Sequence, residues 1–182
     1  MSVSEAPGGK PLAPGPAPAP SDRWYAVWTR SRHEQVVRTQ LDERHITAFL
    51  PTMVRWSRWK DRKKKIAAPL FPGYVFARFD AASRLDVLKC GGVVSIVSFN
   101  GEPAPVPDHE IENIRTLVES TLPFDPCPNI KTGTLVEVAH GPLKGIVGRL
   151  TRKGSQSRLV LSVELIGQGV SVQVDAADVK PR

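Results

Sequence analysis

Few stretches of this chain carry side chains able to do chemistry, and the densest is residues 55–65, RWSRWKDRKKK. It holds seven bases, one acid and two tryptophans, a net +6, whereas all 182 residues together carry +7. Arg55, Arg58, Lys60, Arg62, Lys63, Lys64 and Lys65 are suited to phosphate, and Trp56 and Trp59 to stacking on unpaired bases. A merely solvated loop has no use for large apolar rings. The other candidates are poorer. His33 lies beside Glu34 and His109 beside Glu110, but no Ser or Cys has a recognisable nucleophile turn around it. Cys90 and Cys127 make no disulfide framework, and no metal-ligand spacing is present. These residues predict a binding protein, not an enzyme, with no cofactor and no metal.

The elements that position these residues follow from periodicity and turn chemistry. Residues 1–21 contain six prolines among Ala and Gly and predict a disordered tail without the apolar core of a secretory signal. WYAVWT at 24–29 predicts a strand, and Ser31 with Glu34 has the spacing of a capping box opening a helix to about Arg44, with Val37 and Leu41 inward. Ile46–Leu50, Tyr74–Phe79 and Val93–Phe99 predict further strands. The basic run between Val54 and Ile66 predicts an exposed hairpin arm. Ser83–Lys89 predicts a short helix with Leu85 and Leu88 inward, and Asp108 is placed to cap a helix carrying Ile111, Ile114, Leu117 and Val118. Residues 22–121 thus predict an α/β sandwich.

Three prolines between Leu122 and Lys131 predict a stiff linker at 122–131. Residues 132–182 contain only strand patterns, with Leu159, Leu161, Val163 and Leu165 at period two, and predict a small β-barrel. No apolar run approaches the roughly 20 residues of a membrane span.

Two motifs carry a family resemblance. VEVAHGPLKGIVGRL at 136–150, with Gly141, Pro142, Gly145 and Gly148, resembles the KOW motif; Gly148 is expected at a barrel bulge. PLFPGYVF at 69–76 and WYAVWTRSRHE at 24–34 resemble the N-terminal domain of NusG-type transcription factors, in that family's order. The resemblance covers about residues 24–182. It implies an α+β protein: an N-terminal domain with an antiparallel sheet and helices, then an SH3-like KOW barrel. It also implies a cytoplasmic, monomeric elongation factor that suppresses pausing and promotes antitermination. Phe71 and Tyr74, with Trp24 and Tyr25, would dock on the clamp helices of RNA polymerase, while the basic arm meets non-template DNA.

The closer resemblance is to the RfaH/UpxY-type antiterminators of polysaccharide operons; a housekeeping NusG and a ribosomal or RNA-binding KOW protein are the alternatives. Ser83, Arg84, Leu85 and Asp86 stand where RfaH-like proteins carry a His-Thr-Thr contact. Ile166 stands where NusG has an aromatic that meets Rho or a small-subunit ribosomal protein. The alternating strands and glycines of residues 130–182 predict a β rather than a helical form.

Overall fold

The structure, a computed structural model, describes residues 21–59, 62–128 and 132–182, with the side chains of Arg58, Trp59 and Arg62 outside the description. The tail expected at 1–21 lies outside the described residues apart from Ser21, and so do Lys60 and Lys131. The N-terminal part runs β1 (Arg23–Thr29), α1 (Glu34–Glu43), β2 (Thr47–Phe49), β3 (Thr52–Trp59), β4 (Arg62–Pro69), β5 (Tyr74–Phe79), α2 (Arg84–Leu88), β6 (Val93–Ile96), β7 (Ser98–Phe99), β8 (Glu102–Pro103), β9 (Pro105–Val106) and α3 (Asp108–Glu119).

β1 lies inside an antiparallel sheet, with β5 on one side and β6 and β9 sharing the other; β2 extends the β5 edge. Both faces of this sheet are covered, which the period-two alternation of β1 makes possible. Val27, Val75, Ala77 and Phe79 pack with Val37 and Leu41 of α1 and Val87 of α2. Trp24, Ala26 and Phe76 pack on the opposite face with Ile111, Ile114 and Leu117 of α3. β3 and β4 form a separate two-stranded arm whose register runs from Thr52↔Pro69 to Trp59↔Arg62.

The second part runs β10 (Phe124–Pro128), β11 (Thr134–Val138), β12 (Val147–Lys153), β13 (Gln156–Val163), β14 (Gln168–Gln173) and β15 (Val179–Pro181), in the sheet order β10-β14-β13-β12-β11-β15. Leu159, Leu161 and Val163 of β13 are buried with Val136, Val138, Val170 and Val172. The chain is therefore α+β, with a β-rich C-terminal part that also carries the 3-10 turns Glu164–Ile166 and Ala176–Asp178.

Several local expectations change. Leu122–Lys131 is not simply a linker, because Phe124–Pro128 pairs with β14 over five residues. Proline is tolerated there because β10 is an edge strand, where the missing N–H can face away from the ladder. Ser31 does not cap α1: the N-cap is His33, without a side-chain cap hydrogen bond. Asp108 is the first residue of α3, after Pro107 at the N-cap. In α2, Leu85 and Leu88 are exposed and Val87 is the buried residue, since a single five-residue turn offers only a narrow inward face. The strand expected over Val93–Phe99 divides at Val97 into β6 and β7. Gly148 sits in regular pairing with Val136, not at a bulge; an added Cβ would lie 2.7 Å from the Val160 carbonyl oxygen, so close strand approach is what requires glycine.

Candidate functional site

The segment Phe71-Pro72-Gly73-Tyr74 is built from the backbone outward. The Tyr74 N–H donates to the Phe71 carbonyl at 3.1 Å, and Gly73 has φ +85°. Proline at the second position and a left-handed glycine at the third are the signature of a type II turn. The turn is held from two further sides. Its Gly73 carbonyl accepts from Thr29 N–H at 2.8 Å, and the Gly73 N–H donates to Oε1 of Glu34, also at 2.8 Å. Glu34 is buried, so sequence spacing found an important residue but assigned it the wrong partner: it secures a turn 39 positions away.

The turn carries Phe71 inward. Phe71 is 1% exposed and meets Phe76 edge-on, with ring centroids 6.0 Å apart. Tyr74 is half-buried against the same cluster, and Trp24 is buried in it with its indole Nε1 unpartnered among the described residues. The Arg115 guanidinium lies 5.7 Å from the Trp24 ring centroid and 5.1 Å from that of Phe49. Phe71, Tyr74 and Trp24 are thus brought together. Tyr25 is not: strand alternation turns it to the other face, where its ring sits 4.6 Å from that of Phe79.

The arm is the opposite kind of surface. Trp56 is 66% exposed, with the Lys65 ammonium 5.0 Å from its ring centroid. Arg55, Lys63, Lys64 and Lys65 are exposed, and none forms an ion pair among the described residues. Lys60 lies outside the described residues, and the side chains of Arg58, Trp59 and Arg62 are not described. A ribbon of such cations beside an open indole suits a phosphate backbone with unpaired bases.

In the second domain Gly141 and Gly145 both take positive φ, which lets the connecting loop carry Leu143 and Ile146 into the core. Ile166 lies in the 3-10 turn Glu164–Ile166 and is half-buried against the cluster that contains α3. His33 and His109 are exposed, Cys90 is buried with its thiol pushed up by burial, and no group of three metal-ligating side chains forms among the described residues. No described helix is long and apolar enough to cross a membrane.

Known proteins match this arrangement. The family described as "Transcription termination factor nusG" matches residues 22–115. The chain belongs to the NusG family. Similar curated proteins include the transcription termination/antitermination protein NusG of Helicobacter pylori, 24% identical over 83% of this chain and 93% of its own length. The protein of that name from Thermus thermophilus is 25% identical over 87% of this chain and 98% of its own. A solved structure described as domain interaction in Thermotoga maritima NusG covers 88% of this chain and 97% of its own, at TM-score 0.52 and 23% identity, and supports the fold. The chain is a NusG-type transcription factor, and that family is non-enzymatic.

Proposed function

We propose that the protein is a cytoplasmic, monomeric elongation factor that binds RNA polymerase, suppresses pausing and promotes antitermination at specialised operons. The observation that carries this reading is the pinned type II turn, which sets the half-buried Tyr74 over the buried rings of Phe71 and Trp24, beside the root of an exposed cationic arm. Apolar aromatics suit the clamp helices of the polymerase, where a few buried rings supply most of an interface's affinity. The arm then meets non-template DNA.

Ile166 offers an aliphatic contact to a small-subunit ribosomal protein or Rho. Because Ile166 stands in place of an aromatic, weak Rho recruitment and a specialised role are favoured over housekeeping termination. The test is retention of RNA polymerase by the full-length protein and by Tyr74→Ala, whose side chain is only half-buried. Loss of retention in a folded Tyr74→Ala supports the docking face; equal retention overturns it. Occupancy mapped across the genome should concentrate on a few operons; occupancy on most genes would instead establish a general factor.

A further inference from the structure

The two domains meet on α3, and the contact contains a buried acid with no cation beside it among the described residues. Asn113 of α3 donates Nδ2–H to the Val147 carbonyl at 3.2 Å, and apolar residues of both domains form one continuous cluster. One turn earlier, Glu110 is 8% exposed and its Oε2 has no hydrogen-bond partner among the described residues. Glu164, from the 3-10 turn of the second domain, faces it with both its backbone N–H and its own carboxylate.

The charged groups around this contact are engaged elsewhere or solvated. On α3, Asp108 lies 3.7 Å from Arg78, Glu112 pairs with Arg115 at 3.1 Å, and His109 is exposed. On β13, Arg158 binds Asp125 at 2.6 Å and the Ser171 hydroxyl and carbonyl. On β12, Arg149 donates to the Gly133 carbonyl, and Arg152 and Lys153 lie at the far hairpin end. Arg23, on β1, is exposed. No cation among the described residues pairs with Glu110.

We infer that closure of the second domain onto α3 is coupled to the uptake of one proton by Glu110, so that the contact tightens in mild acid and loosens as pH rises through neutrality. Burial, and then the like charge of Glu164, raise the closed-state carboxyl from an ordinary 4.5 to about 7 against the opposing pull of the Glu164 N–H. In an open arrangement Glu110 lies in the first turn of a 12-residue helix, in water, where the helix dipole favours the charged form. A carboxyl raised on closing makes closure most favourable below the open-state value, and that advantage is lost as pH climbs toward the closed-state one. The closed-to-open ratio should then fall about tenfold between pH 6 and pH 8. Opening would uncover the α3 face and the turn bearing Ile166 together.

The experiment follows backbone amide signals of Asn113 and Glu164, together with small-angle scattering, in the full-length protein from pH 5.5 to 8. It needs no polymerase, so its outcome is separate from that of the docking reading. Wild type should open with rising pH, whereas Glu110→Gln, neutral at every pH, should stay closed throughout. All four histidines are exposed, and Glu110→Gln leaves them in place as the control. Glu164→Gln alters an exposed side chain and should move the opening midpoint to lower pH by removing the like charge. A wild type that shows no pH-dependent opening, a Glu110→Gln that opens with the same pH profile, or an unmoved midpoint in Glu164→Gln overturns the inference.

Discussion

The aromatic turn and the basic arm are separated by Leu70 alone, yet they are opposite solutions to making a contact. Phe71 is 1% exposed and fixed by a turn with two backbone hydrogen bonds and a third to the Glu34 carboxylate; Trp56 is 66% exposed on a two-stranded ribbon outside the main sheet. An apolar cluster of this size left open would be an aggregation liability, so burying it is the stable arrangement. A cationic ribbon carries no such penalty and can remain open to solvent. In consequence, substitutions in the turn should act on folding as well as binding, and substitutions in the arm on binding alone.

The largest expected effect is Phe71→Ala, which empties a fully buried ring site and should cost about 3–5 kcal/mol in chemical denaturation. A destabilisation under about 1 kcal/mol, typical of an exposed site, would erase the contrast between the two regions. Glu34→Ala comes next, at about 1–3 kcal/mol, because it leaves the part-buried Gly73 N–H without an acceptor. Glu34→Gln keeps an acceptor oxygen and should recover much of that stability, with protection of the Gly73 amide against exchange as the readout. Gly73→Ala should cost about 1–2 kcal/mol, since φ +85° strains any Cβ while the nearest Trp28 ring atom, at 3.7 Å, leaves room for one. In the arm, replacing Lys63, Lys64 and Lys65 by Gln should change stability by no more than about 0.5 kcal/mol. The same variant should flatten the salt dependence of single-stranded DNA binding by up to about 0.7 in log–log slope for each phosphate no longer neutralised. An unchanged slope would show that the arm is only a solvated loop.

What was legible in the sequence was local. Pro72-Gly73 specifies its turn wherever it is placed, because proline fixes one φ and glycine permits the other. The alternation from Leu159 to Leu165 specifies a strand, though Leu165 falls in the 3-10 turn that follows it and Val160, expected on the other face, is buried too; the density of bases at 55–65 specifies an exposed arm. Val37 and Leu41, one turn apart, do lie on the buried face of α1, as their spacing requires. The misjudged features depend on distant partners. Glu34 is spaced for a cap, but the Gly73 N–H competes for the same carboxylate and becomes reachable only once β1 and β5 pair.

The sequence by itself therefore determined the order of elements, the two motifs and the site of concentrated charge, since each depends on backbone preferences within a few residues. Only the tertiary structure decided that Phe124–Pro128 would add to β14, that Glu34 would hold the Gly73 N–H, and that Glu110 would face Glu164. Strand edges, sheet faces and buried charges are defined by what packs against them. That partner lies tens of residues away, beyond the reach of any local pattern.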